Sequence, residues 1–291
     1  MPEHFSTGSK KGRGMGKASL DLIEAMQAIA EQAQPITGRG IGYKLFTVGL
    51  IPSMETTSMQ QVYRLLRIAR EEGIIPWRWI VDENRDLERV QSWSNPAEFV
   101  QAVRRSYRRD FWQQQPLRVE VWSEKGTVRG TLDPVLESYG VGFRVMHGFS
   151  GATTIHDVAQ DYDGCPLLVL YCGDYDPSGL WMSEHDLPDR LARYGGDHVE
   201  LKRIALLRPD CGKLPSFPAS AKSKDPRFKW FASNFGSKCW ELDAMDPNDL
   251  RDRVRYEIAR VIEPEAWDRC EIVNRAEQES LRSVLDAWTG A

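Results

Sequence analysis

The stretch Pro166-Leu-Leu-Val-Leu-Tyr-Cys-Gly173 constrains the fold of this chain more than any other. Six apolar or aromatic residues run without polar alternation, so a strand here must be covered on both of its faces. That is the environment of a strand inside a parallel sheet. The neighbouring segments agree. "LRVEVWSE" (117–124) alternates and then ends in an acid, and "TVRGTLDPVLESYG" (127–140) has helical spacing closed by glycine. "FRVMHG" (143–148) reads as a strand, "ATTIHDVAQDY" (152–162) and "LWMSEHDLPDRLARYGG" (180–196) as helices, and "VELKRIALL" (199–207) as a strand. Strands alternating with helices predict an α/β domain with a parallel, Rossmann-like sheet. Residues 208–240 read as irregular, and residues 247–291 as two further helices.

The chain before Pro116 has a different grammar. Residues 1–16 are rich in Gly, Ser and Lys and predict a disordered basic tail. Ser19 is placed to cap a helix that ends at Pro35, with Leu22, Ile23, Met26, Ile29 and Ala30 on its inner face. Thr37 caps a second helix, and a third carries Val62, Leu65, Leu66, Ile68 and Ala69 inward and stops at Gly73. "IIPWRWIVD" (74–82) reads as short extended segments, and residues 95–116 as one more helix closed by Pro116. Three helices followed by a strand pair is the order of a winged-helix domain. The expected organisation is therefore a tail (1–16), a mostly α winged-helix domain (17–116) and the parallel-sheet domain with C-terminal helices (117–291).

Charge separates the two halves. Residues 1–116 hold 16 Lys and Arg against 13 Asp and Glu, and the remainder holds 22 against 29. This difference suits DNA binding by the first half and cation binding by the second, and it also arises by chance between two domains. The five cysteines form no CxxC pair, as expected of reduced thiols in a cytoplasmic protein. No apolar run reaches the length of a membrane helix, so no membrane partner is expected.

The buried strand runs straight into Asp174-Tyr-Asp176-Pro-Ser-Gly179. Ligands of open α/β sheets bind beyond the carboxyl ends of the strands, and residues two apart in an extended chain point the same way. Two carboxylates so placed repel one another unless a cation sits between them. Oxygen-only ligands suit Mg²⁺ or Mn²⁺. Glu124, at the end of the first strand of this domain, supplies a third carboxylate. His147 ends the strand between the acidic ones and reads either as a phosphate or proton-transfer group or as a structural histidine. Arg64, Arg67 and Arg70 recur along the third helix opposite its apolar face. With Arg104, Arg105, Arg108 and Arg109 they make a candidate surface for double-stranded DNA. The tryptophans at 77, 79, 93, 112 and 122 are expected in packing.

Glu124-Lys125, followed by β-α-β and then Asp174-Tyr-Asp176-Pro-Ser-Gly179, resembles the Toprim domain of topoisomerases, bacterial primases and overcoming-lysogenization-defect-type nucleases. The form Asp-x-Asp-Pro-x-Gly is similar to the A subunit of topoisomerase VI and its meiotic double-strand-break relatives, as is "DPRFKWFASNFGSKCWELDAMDPNDLR" (225–251). The resemblance covers most of residues 37–255. It implies DNA cleavage by a tyrosine carried in an Arg-x-x-x-Tyr pattern, which Arg39-Gly-Ile-Gly-Tyr43 matches. By that resemblance Tyr43 attacks a DNA phosphate, Arg39 steadies it, and Glu124, Asp174 and Asp176 hold Mg²⁺ or Mn²⁺. A homodimer, a separate GHKL-type ATPase subunit and a nucleoid-associated location are implied in the same way. The chain departs from the family where an aromatic often precedes the tyrosine, here Gly42. It is shorter than a typical A subunit and carries no ATPase module. Toprim proteins without such a partner often act as hydrolytic nucleases, and others serve as DNA-binding subunits of larger complexes. Tyr43 is then a packed residue of the helical core.

Overall fold

The computed structural model describes residues 15–81, 91–146, 151–161 and 164–289. Most of the expected tail, the segment after Val81 and His147 lie outside the described residues. The N-terminal part contains α1 (Lys17–Ala33), β1 (Ile36–Thr37), α2 (Gly38–Thr47), α3 (Thr56–Glu71), β2 (Ile80–Val81) and α4 (Pro96–Ser106). The remainder runs β3 (Arg118–Ser123), α5 (Thr127–Tyr139), β4 (Gly142–Val145), α6 (Ala152–Gln160), β5 (Leu167–Cys172), α7 (Pro177–Trp181), α8 (Leu187–Arg193) and β6 (Val199–Ala205). It closes with β7 (Phe217–Pro218), α9 (Phe228–Phe235), β8 (Lys238–Cys239), α10 (Pro247–Ala259) and α11 (Pro264–Thr289).

The fold is mixed α/β around a four-stranded sheet with the order β4-β3-β5-β6, parallel throughout. All six residues of β5 are buried. Leu168, Leu170 and Cys172 enter one apolar cluster with Val119 and Val121, while Leu167, Val169 and Tyr171 enter another with Trp122 and Ile155. The unbroken apolar run thus serves two cores, one on each side of the sheet. A third cluster, built from α1, α2 and α3 with Ile36, Ile75 and Ile80, is separate from both.

Several local expectations are corrected. Helix α1 begins at Lys17 with Gly16 as its cap, so Ser19 lies inside the first turn and donates its backbone N–H to the Gly16 carbonyl. Trp77–Trp79 form a 3-10 turn rather than an extended segment. Among the described residues β2 has no antiparallel partner; it pairs in parallel with β1, which precedes α2. Helix α4 ends at Ser106, ten residues short of Pro116. Asp110 then starts a separate 3-10 turn by accepting from the Trp112 N–H at 2.9 Å. Segment 208–240 holds α9 between the antiparallel pair β7 and β8. Helices α7 and α8 are joined by a π turn over Met182–Asp186. Among the described residues no helix is long and apolar enough to cross a membrane.

Candidate active site

In the strand order found here, the first and third strands of the sheet lie side by side with their crossovers leaving in opposite directions along the sheet. That reversal opens a crevice at their carboxyl ends. Glu124 follows β3 and Asp174 follows β5, so both acids stand at this crevice. It widens into a cleft of about 1260 Å³ whose far wall is α3. Thr37, Arg39, Glu124, Lys125, Asp174 and Asp176 line it, together with Lys222, Glu241 and Asp243.

Local structure fixes each acid. Asp176 caps α7, accepting from the Gly179 N–H at 2.8 Å, and its second oxygen is 3.1 Å from Lys222 Nζ. Gly179 is required there, because a Cβ would run into the Asp174 carbonyl oxygen. Asp174 accepts from the Leu242 N–H at 2.8 Å and lies 3.0 Å from Lys125 Nζ. Both aspartates are buried, at 9% and 3% exposure. Among the described residues Glu124 has no hydrogen bond or ion pair. Burial, and then the charges of Asp174 and Asp176, hold it above the ordinary carboxylate range. Burial raises Asp174 too, with Asp176 adding to it against the pull of Lys125.

Among the described residues, no three carboxylate, imidazole or thiol groups converge closely enough to hold a metal ion as they stand. The donor set still fits one in kind. It offers only carboxylate oxygens, which suit a hard divalent cation, and after burial the charges of Asp174 and Asp176 are what raise Glu124, as a cation among them would reverse. The Lys125 and Lys222 ammonium groups supply positive charge in this arrangement.

One half-buried group missed by the sequence reading shapes the acidic loop. Arg203, on β6, donates from Nε to the Leu206 carbonyl at 2.9 Å. Its Nη1 donates to the Gly179 carbonyl at 2.9 Å and to Ser183 Oγ at 2.8 Å. Its Nη2 donates to the carbonyls of Gly173 at 2.8 Å and Asp174 at 2.5 Å. All five guanidinium N–H groups are used, which holds the β5 exit and the start of α7 in one geometry.

The second set missed is the seam between α2 and residues 241–246. Arg39 forms a forked pair with Glu241, Nη2 lying 2.6 Å from Oε1. The Thr37 hydroxyl donates to Asp243 at 2.7 Å while accepting from the Gly40 N–H, so it is both cap and tether. Lys44 pairs with Asp246. Lys125 joins the same seam, 2.9 Å from Asp243. Burial opposes the charge on Asp243, but Lys125, the Thr37 hydroxyl and Arg39 outweigh it and hold its pKa below the ordinary value. Asp246 is lowered in the same way by Lys44 against burial. Carboxylates depressed by folding stabilise the protein fully above their unfolded pKa, near 4, and lose that contribution as the pH falls through their folded values. Acidification below about pH 4 is therefore expected to loosen this seam. Hydrogen exchange of α2 backbone amides should accelerate there ahead of those in β5. Equal protection in both elements down to global unfolding would refute this.

Tyr43 lies on α2, only 4% exposed, and does not line the cleft. The Arg39 guanidinium lies 5.7 Å from its ring centroid. Burial, and then Glu241, push its hydroxyl pKa upward, against the opposing pull of Arg39 and Lys125. A Cβ at Gly42 would press on the end of the Met59 side chain of α3, so a larger residue there would require that side chain to move. Arg67 and Arg70 line the cleft; Arg64 is exposed on the same helix but outside the lining. Arg104, Arg105 and Arg108 do not line it. Arg104 pairs with Asp286 on α11, Arg105 donates to the Gln101 carbonyl, and Arg108 donates to the Glu137 and Ser138 carbonyls at the end of α5. Arg109, beside them, pairs with Glu277. His185 sits against Trp181 in a tilted contact and against Trp230 edge to face, with centroids 4.6 and 5.2 Å away.

Comparison with family models, with curated proteins and with solved structures gave no match to this chain.

Proposed function

We propose that this chain is a divalent-metal-dependent DNA-cleaving enzyme organised like the A subunit of topoisomerase VI, a winged-helix domain set against a Toprim domain. One observation carries the reading. Acids from two neighbouring parallel strands share a cleft with the arginines of α3. Polyanion binding on one wall and carboxylates on the other is the arrangement that phosphodiester cleavage needs. Glu124, Asp174 and Asp176 would hold Mg²⁺ or Mn²⁺, and the ion would supply charge stabilisation at the phosphate oxygens. Arg67 and Arg70 bind the backbone, and Arg39 orients the phosphate.

In this organisation Tyr43 is the nucleophile. Its oxygen loses its proton as it bonds to phosphorus, the bond to the 3′ oxygen breaks, and that oxygen takes up one proton to leave as a hydroxyl, so the transfer is proton-neutral overall. The burial of Tyr43 and its raised pKa favour a second reading, in which water is the nucleophile and the tyrosine only packs. The partners implied are double-stranded DNA, a second copy of the chain and a separate GHKL-type ATPase.

The test is supercoiled plasmid incubated with Mg²⁺ or Mn²⁺, stopped with detergent and resolved with and without protease. Products that enter the gel only after protease support the covalent route. Tyr43→Phe removes one hydroxyl from a packed ring and is expected to abolish those products while the protein stays folded. Cutting that needs no protease and survives in Tyr43→Phe supports the hydrolytic reading. No cutting with either metal overturns both in favour of a DNA-binding subunit.

A further inference from the structure

The wall of the cleft facing the acids carries aromatic rings that the helical core does not absorb. Trp77 is 58% exposed and Tyr63 is 43% exposed, and both line the cleft. The sequence reading expected Trp77 in packing, and the structure corrects it. The reason is local. Ile75 and Ile80 on either side are buried in the helical core, and Trp79 packs partly against it. Between them the 3-10 turn is tied by the Trp79 N–H to the Pro76 carbonyl at 3.0 Å, and β2 is paired to β1. Anchored at both ends, the turn holds Trp77 outward. The Arg70 guanidinium lies 4.3 Å from the Trp77 ring centroid, within cation–π range.

A large ring held in water on an anchored turn, backed by a guanidinium, is the build of a base-stacking platform. Its setting selects the occupant. Arg70 and Arg67, the latter also paired with Glu71, put positive charge for phosphate oxygens on this wall, while Lys222 is paired with Asp176 on the acidic side. A protein segment presenting an apolar side chain would find a cleft floored by ionised groups. Bases within a duplex hide their faces in the helical stack, so only an unpaired base can lie on Trp77.

We propose that the Trp77–Arg70 platform binds an unpaired nucleobase, so that the DNA taken into this cleft is single-stranded or locally opened beside the phosphate at the acids. The proposal rests on the DNA-cleavage reading for the identity of the polymer, and its test does not require cleavage.

Fluorescence anisotropy in EDTA would compare three labelled DNAs of equal length: a single strand, a perfect duplex and a duplex with a short central mismatch bubble. Stacking on an aromatic side chain is worth about 1–3 kcal/mol per base. Trp77→Ala should therefore weaken binding of the single strand and the bubble by roughly 5- to 150-fold and leave the perfect duplex within about twofold. Trp77→Phe should recover part of the loss, because it restores a stacking face. Circular dichroism and thermal melting check that these exposed-site variants fold. Unchanged affinity for the single strand, equal losses on all three DNAs, or no DNA binding by the unsubstituted protein would each overturn the platform. Trp77-dependent binding by a protein that never cuts would sustain the platform and defeat the cleavage reading. Cutting with affinities indifferent to Trp77 would do the reverse.

Discussion

Asp176→Asn is expected to leave the fold intact and to lower metal-dependent DNA cleavage by a factor on the order of 10³. Two roles of one side chain separate in this substitution. Asp176 is the N-cap of α7, and asparagine caps about as well as aspartate. Its charge also belongs to the acidic set that the proposed function assigns to the metal, and asparagine removes that charge. The asparagine protein keeps the cap but loses the Lys222 pair and should still fold and melt cooperatively, while Asp176→Ala should lose roughly 1 kcal/mol more of stability with the cap. Calorimetry measures the first effect and the plasmid assay the second. If Asp176→Asn cuts DNA as well as the parent, the acids are structural and the proposed chemistry fails.

The second large effect is on stability. Arg203→Met should destabilise the protein by about 3–5 kcal/mol, because it leaves buried carbonyl groups and the Ser183 hydroxyl without their donor. The affected groups belong to the β5 exit and the start of α7, so the loss falls on the loop that carries Asp174 and Asp176. Arg203→Lys keeps the charge but has three donors rather than five in a planar fork, and should recover only part of the stability. Urea titration followed by tryptophan fluorescence and by circular dichroism would measure both variants. A loss under about 1 kcal/mol for Arg203→Met would mean that the loop satisfies its carbonyls in another way.

The sheet and its acids were legible because each had a local signal. β5 is apolar at every position, glycine closes α5, and Asp174 and Asp176 follow a strand with Pro177 next, where a helix begins. What escaped the sequence was partnership at a distance. Arg203 stands in a strand that reads as ordinary alternation, and only its neighbours on other elements make it a five-donor hub. Lys222 sits in a segment with no periodicity to place it, yet it meets Asp176. The acids Glu241 and Asp243 belong to a run that resembled the family, but their pairing with α2 came from the fold. Trp77 was misjudged because composition favours burying tryptophan, whereas the anchors at Ile75 and Ile80 decide its direction. The helix expected over 95–116 was drawn too long because Arg104 to Asp110 has no glycine or proline to stop it. The helix ends at Ser106 with Tyr107 extended, and Asp110 caps a separate turn beyond it.

The joint between α2 and residues 241–246 is made of ion pairs and hydrogen bonds, while the apolar clusters on its two sides remain separate. Such a joint answers to ionic strength in a way an oily one does not. Arg39 and Lys125 work in it as fasteners, and the proposed substrate is itself a chain of anions. A strand drawn into the cleft would compete with Glu241 and Asp243 for the same cations, so loading the cleft and loosening this joint would be coupled.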